Sequence, residues 1–361
     1  MDQARNLPDG NDEIQKAVAF SKEYVDNFRT IFPNIIDEAL SKICYLDSWN
    51  IRNRIKEMTE YYTLEKKPML GELMLYAYAM LEDNEVWKEE KRHQAYLLAS
   101  VIEMGASYFL FTDDIQDDGK TRCGKVCWHL LPNVGTLAIN DACMLRSFIQ
   151  EILQQNFPEP LFYKITKFVN KIFFIAATGQ HVDITLARDR NFDNFTMKCY
   201  CKMSEMKTAF PFIEVPIIFA LILSNKATEE SMQQIHNICV DMGVLIQIQN
   251  DITDFYDYEG LTKSSTDIQK GKCSWLAVKA LELSNEDQRC IFEECYGSWD
   301  PTHVHKIREL YKELKLPQLL VQEKEARYET FFRKINELPP VCVPDVNFYQ
   351  KLFKLIKNTR I

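Results

Sequence analysis

Apolar residues recur three and four positions apart along most of the chain, as they do in helices that bury one face or more. On that pattern helices are predicted over 14–30, 34–46, 69–82, 93–112, 136–154, 160–186, 196–208, 228–256, 273–284, 301–315 and 317–336. Prolines and glycines are few. Most fall at the joints, at Pro33, Pro68, Pro132, Pro158, Pro160 and the Pro339–Pro340 pair, where a missing amide proton interrupts a helix least. No two-residue alternation persists between hairpin turns, so a sheet is not expected. The longest apolar stretches, 95–112 and 209–224, carry Glu103, Glu214, Pro211 and Pro216 and are shorter than the about 20 residues of a membrane span. They read as buried core helices, and no span is expected. The expected fold is all-α, a helical bundle around a central cavity. One domain would cover 1–361, with residues 1–10 as a flexible tail.

Composition narrows this picture. The chain has 361 residues, 46% of them hydrophobic, and a net charge of −9, which speaks against a nucleic-acid surface. Its polar, acidic start lacks the apolar core of a secretory signal. Eleven cysteines, an odd number, form no recognisable zinc pattern and read as reduced thiols. A cytoplasmic location is expected.

Two acidic clusters carry the candidate chemistry. Asp113-Asp114-Ile115-Gln116-Asp117-Asp118 is trailed by Lys120, Arg122 and Lys125, and Asn250-Asp251-Ile252-Thr253-Asp254 by Lys263 and Lys272. Both follow apolar helices. Asp113 and Asp117 are four apart and Asp251 and Asp254 three apart, so each pair shares a helix face at roughly 5–6 Å and repels unless cations intervene. Carboxylate oxygens suit Mg²⁺, which is commonly shared with substrate phosphates. Lysines and arginines just beyond each cluster are what a diphosphate would need. The pairing predicts Mg²⁺-dependent diphosphate chemistry.

Taken together, several segments resemble the farnesyl diphosphate synthase family of isoprenyl diphosphate synthases. They are Phe111-Thr-Asp-Asp-Ile-Gln-Asp-Asp, Gly179-Gln180 with Asp183, Lys207-Thr208-Ala-Phe, Gln247-Ile-Gln-Asn-Asp-Ile-Thr-Asp and Lys272-Cys-Ser-Trp. The resemblance implies an isoprenoid synthase fold, three Mg²⁺ ions, a prenyl diphosphate substrate and a homodimer. It places the metal between Asp113, Asp114 and Asp117 on one side and Asn250, Asp251 and Asp254 on the other. Asn250 stands where the family has Asp, and Asp257 or Glu259 would add charge. The resemblance implies that Arg122, Lys207, Gln247, Lys263 and Lys272 hold the allylic diphosphate, with Thr208 and Gln180 beside them. Asp113, Asp117, Arg122 and Lys207 are the candidate catalytic residues. Tyr108 and Phe109 occupy the positions that limit chain length and imply a pocket for about fifteen carbons.

The same resemblance shows departures where the family binds isopentenyl diphosphate. The turn at Glu65-Lys66-Lys67-Pro68 keeps Lys67, but Leu70 replaces an Arg, Ala106 a Gln and Cys123 the second Arg of a pair. Leu and Cys cannot imitate a bidentate guanidinium. This pattern resembles the insect terpene synthases thought to descend from the family. The expectation is therefore a class I sesquiterpene synthase that ionises farnesyl diphosphate and forms a cyclic sesquiterpene or its alcohol. Aromatic rings at Tyr108, Phe109, Phe174 and Phe210 would steer the cation, and Gly179 would loosen its helix to expose carbonyls. Lys66 would enter part of the vacated acceptor site. The alternative is a farnesyl diphosphate synthase that condenses isopentenyl diphosphate with an allylic diphosphate. A non-catalytic helical partner subunit is the third reading.

Overall fold

A computed structural model describes residues 10–46, 50–82, 89–256 and 266–358. The expected periodicity becomes helix almost throughout. The first half comprises α1 (Gly10–Ser41), α2 (Ile51–Thr63), α3 (Met69–Leu81), α4 (Glu89–Gln116), α5 (Leu137–Asn156) and α6 (Glu159–Asp189). The second comprises α7 (Met197–Ser204), a π-helix (Glu205–Glu214), α8 (Val215–Leu223), α9 (Glu229–Tyr256) and α10 (Asp267–Lys270). It ends with α11 (Trp275–Leu283), α12 (Glu286–Cys295), α13 (Pro301–Glu313), α14 (Leu316–Asn336) and α15 (Val346–Asn358). The all-α expectation holds. Among the described residues the only sheet is a two-residue hairpin, β1 (Thr121–Arg122) with β2 (Lys125–Val126). Cys123 and Gly124 turn it, both at positive φ (54° and 72°), as the favoured tight hairpin turns require.

Several boundaries differ from the sequence pattern for local reasons. Pro33 does not break α1, which runs unbroken on both sides of it. Phe28, Phe32, Ile35 and Ile36 bury that stretch, and their packing outweighs one lost helical hydrogen bond. Helices α2, α12 and α15 were not expected. α2 and α12 are polar overall and α15 is mixed, and each is held by an apolar stripe: Ile55, Met58 and Tyr62 on α2, Phe292 and Cys295 on α12, Phe348, Leu352 and Phe353 on α15. α12 also has a reciprocal capping box, Asn285 with Gln288.

Two apolar clusters organise the molecule. One joins α1 to α6 with α8 and α15; the other gathers α7 and α11 to α13 around Tyr200, Trp275, Phe292, Tyr296 and Tyr311. α9 enters both, Ile235 to Met242 in the first and Ile248 to Phe255 in the second. The helix expected to end at residue 208 instead continues as the π-helix into α8, past the buried Pro211. A π turn relaxes the ladder locally and tolerates that missing amide. The π-helix is wedged between α6 and α9 through two glycines. A Cβ on Gly179 would come within 2.5 Å of the Lys207 nitrogen, and one on Gly243 within 2.3 Å of Ala209 Cα. Gly179 therefore permits close packing and does not loosen α6, which is continuous there. Two apolar segments, Glu90–Gln116 and Met197–Leu223, pass a length test for membrane helices, but 72% and 78% of their apolar windows are buried inside the protein.

Candidate active site

α4 ends at the first acidic cluster and α9 at the second, and both ends face a cavity of about 520 Å³. On the first side Asp113 is met by two cations and an amide. Arg122 donates to its Oδ2 at 2.7 Å, Gln180 Nε2 to its Oδ1 at 2.9 Å, and Lys207 Nζ lies 3.5 Å away. Burial alone would raise its pKa, but Lys207, Arg122 and Lys272 outweigh burial and hold the carboxyl below the ordinary range. Asp117 goes the other way. Burial and the neighbouring Asp113 push it up, although Lys272 Nζ sits at 3.0 Å. A carboxylate pair strained in this way suits a bound cation.

Asp183 ties the basic residues together. Lys207 donates to its Oδ2 at 2.7 Å and Lys272 at 2.9 Å, so one buried carboxylate on α6 fixes two ammonium groups from the π-helix and the α10–α11 connection. Burial opposes the charged form of both lysines, and Asp183 with Asp113 and Asp117 raises them both regardless. Sequence reasoning placed Asp183 in a motif but did not foresee this bridge, which depends on three elements meeting.

The second side is built from neutral donors. Asp251 Oδ2 accepts from Tyr200 Oη at 2.9 Å and the Trp275 backbone N–H at 2.7 Å, and its Oδ1 accepts from Gln247 at 2.9 Å. Burial and Asp267 push its carboxyl up to about 7 against those hydrogen bonds. Asp254 accepts from the backbone N–H groups of Thr266 and Asp267 at 3.2 and 3.3 Å. Gln247 also bonds Thr208 on the π-helix. Asn250 is exposed on this side and lines the cavity.

Asp114 is the counterpart of Asp251. It is buried, accepting from Tyr62 Oη at 2.8 Å and Arg122 Nε at 2.8 Å. In each motif the residue at the second position is thus engaged by a tyrosine hydroxyl and further protein donors, and Asp113, Asp114, Asp117, Asn250, Asp251 and Asp254 all line the cavity. Tyr62 and Tyr200 carried no sequence signal, because their role depends on tertiary placement. The oxygen-rich donor set fits Mg²⁺. Thr121 in the hairpin, and Thr266, Asp267 and Lys270 at α10, also line the cavity.

Of the other expected residues, Tyr108 and Phe109 line the cavity and pack against Phe173 at centroid distances of 4.9 and 5.4 Å. Phe174 is 75% exposed and cannot steer a cation there. Phe210 is buried and packs on Phe168. Lys263, Asp257 and Glu259 lie outside the described residues. Leu70 and Ala106 line a small apolar chamber of about 40 Å³ that adjoins the cavity at Phe109, Pro211 and Phe212.

Comparison with known proteins agrees with this geometry. Residues 52–314 match the polyprenyl synthetase family model. The chain is 35% identical to farnesyl pyrophosphate synthase 1 of Cannabis sativa over 84% of this chain and 90% of that protein. It is 32% identical to farnesyl pyrophosphate synthase 2 of Lupinus albus over 91% and 97%. Among solved structures, a T. brucei farnesyl diphosphate synthase complexed with risedronate matches with a TM-score of 0.82 at 26% identity, covering 95% of this chain and 98% of that one. These likenesses run to prenyl-chain synthases. They overturn the expected sesquiterpene synthase, do not support the narrower insect terpene synthase resemblance, and favour the prenyltransferase alternative. The expectation failed because substitutions in one subsite were read as loss of a substrate, although Lys67 of the same turn remains. The chain belongs to the polyprenyl synthetase family.

Proposed function

We propose that this protein is a Mg²⁺-dependent prenyltransferase that condenses an allylic diphosphate with isopentenyl diphosphate to give farnesyl diphosphate. Farnesyl diphosphate is then the product, not the substrate. The observation that carries this reading is the pair of acidic helix ends across one cavity, with Arg122, Lys207 and Lys272 gathered on the first. Asp113 and Asp117, opposite Asn250 and Asp254, would hold the metal, three ions by the family resemblance. Asp114 and Asp251 would brace the two motifs. Bound Mg²⁺ supplies positive charge to the diphosphate as it leaves.

The chain's own residues supply the rest. Arg122, Lys207 and Lys272 are fixed before substrate arrives and stabilise the departing diphosphate without reorganising. By resemblance Lys263 joins them. Gln180 orients Asp113, and Gln247 links Thr208 to Asp251. Breaking the allylic C–O bond leaves a cation that the double bond of isopentenyl diphosphate attacks, and loss of a proton completes the product. Tyr108 and Phe109 close the apolar end and limit the chain. Leu137 and Ile139 on α5 and Phe174 on α6 are large apolar residues left exposed, which supports a homodimer.

The test is product analysis by gas chromatography–mass spectrometry. Purified protein, Mg²⁺, geranyl diphosphate and isopentenyl diphosphate should yield farnesol after phosphatase treatment. Absence of any coupled alcohol would reject the reading.

A further inference from the structure

Away from the cavity, α12 and α13 bring three different ligand types to one spot. A carboxylate oxygen of Glu294, the Cys295 thiol and a ring nitrogen of His303 lie within 4.8 Å of one another. None of the three residues lines the cavity. Cys295 and His303 belong to different helices, in no familiar ligand spacing, so they carried no motif.

Local structure makes them meet. Cys295 is the last residue of α12, and Gly297 turns the chain at a φ of 78°. Asp300 then caps α13, accepting from the Thr302 N–H at 2.8 Å, with Pro301 at its start. His303 therefore sits in the first turn of α13, beside the end of α12. Cys295 is buried in the second apolar cluster with Phe292, Tyr296 and Ile307, whereas Glu294 is exposed and His303 half-buried. A cation thus arrives from the solvent side and finds the thiol on an apolar floor. Ser298 Oγ lies 3.0 Å from His303 Nδ1 and fixes the ring. One ring nitrogen held by an oxygen and the other on the metal is the common arrangement of a ligating imidazole. Asp300 adds negative charge that acts on both the thiol and the ring. Thiolate and imidazole together select zinc over magnesium. Zinc bonds of about 2.0–2.3 Å would draw the three atoms to within about 4 Å of one another, a closure that rotating the exposed Glu294 side chain and the His303 ring provides.

We propose that Glu294, Cys295 and His303 form a Zn²⁺ site between α12 and α13, separate from the Mg²⁺ chemistry of the cavity. Water takes the fourth position, and the thiol proton is released to solvent as the sulfur–zinc bond forms. The site lies behind the catalytic cations. Tyr296, next to the thiol ligand, donates its Oη to the Lys272 carbonyl at 2.6 Å, and the Gly297 N–H donates to the Ile268 carbonyl at 2.9 Å. Zinc that ties α12 to α13 therefore stiffens the support of α10 and Lys272.

Co²⁺ provides the test, because on a thiolate it gives a near-ultraviolet charge-transfer band that cobalt on carboxylates alone lacks. The full chain, reduced and stripped of metal, is titrated with cobalt chloride and then with zinc chloride. Wild type should develop the band with a single equivalent of cobalt, and zinc should abolish it. Cys295→Ser should remove the band. Glu294→Gln and His303→Ala alter residues open to solvent and carry the test without disturbing the core. Each should weaken cobalt binding by at least about a hundredfold, against about tenfold for Ser298→Ala, whose hydroxyl only holds the ring. No band in wild type would overturn the proposal. So would a band that survives Cys295→Ser, which puts the metal on another thiol, or one indifferent to either Glu294→Gln or His303→Ala.

Discussion

On the first side of the cavity Arg122, Lys207 and Lys272 reach Asp113 and Asp117 directly; on the second, Asp251 is met by a phenol, a carboxamide and a backbone N–H. The sequences of the two motifs are nearly interchangeable, yet their electrostatics are opposite. The first holds preorganised positive charge, so Asp113 ionises easily and a departing diphosphate finds cations already placed. The second holds a buried carboxylate pushed up to about 7 and an amide at Asn250 where a charge would otherwise be. Its affinity for metal has to come from fewer full charges. Leaving-group stabilisation is thus built into one side, and the other depends more on the metal itself.

Removing Asp113 should break the comparison most severely. Asp113→Ala strands Arg122 and Lys207 and removes a proposed ligand, and kcat should fall at least about a thousandfold, the upper end for loss of one electrostatic stabiliser. Near-normal turnover would show that the first side is not the seat of ionisation. Next in size is Lys272→Ala, which leaves Asp183 to Lys207 alone; kcat should drop about a hundredfold, read in the same assay. Asn250→Asp would make the second side more like the first. Half-saturation with Mg²⁺ should move to several-fold lower concentration, read from a titration of initial rates.

Smaller effects come from the braces. Tyr62→Phe should cost about 1–3 kcal/mol of unfolding free energy, because that hydroxyl both donates to Asp114 and accepts from the Trp128 N–H. Tyr200→Phe should cost less, since Trp275 N–H still serves Asp251. Denaturant melts of both variants rank the two. The smallest is a pH effect in metal-free protein. Asp113 is lowered, so its contribution is present above the usual carboxylate range and is lost as pH falls below it. Asp251 is raised, so ionising it as pH rises from about 4 to about 7 costs stability. Asp251→Asn should therefore gain on wild type between pH 5 and pH 8 in thermal melts, and Asp113→Asn should not.

Much of the site was legible because its chemistry is written in contiguous motifs. Asp113, Lys207, Gln247 and Asn250 sit on helices whose apolar faces fix their direction, Asp117 follows the last residue of α4, and all line one cavity. Tyr62, Tyr200 and the Asp183 bridge were not, since each joins residues far apart in the chain and an isolated tyrosine looks like core. α2 and α15 escaped because polar residues dilute their short apolar stripes. The π-helix escaped because Pro211 reads as a stop; only the glycines at 179 and 243 hint at a segment packed too closely for an ordinary turn. Function was misread at Leu70, Ala106 and Cys123, where three missing side chains were taken for a lost substrate; Lys66, expected in the vacated space, instead pairs with Glu103 and does not line the cavity.

The most direct measurement is transfer of isotopic label from isopentenyl diphosphate into an acid-labile prenyl product, with geranyl diphosphate present or omitted and Mg²⁺ present or chelated. Label incorporation that requires both geranyl diphosphate and Mg²⁺, with the product fifteen carbons long, is what the account predicts. Absence of labelled product under saturating substrates, or incorporation that persists with Mg²⁺ chelated, would contradict it.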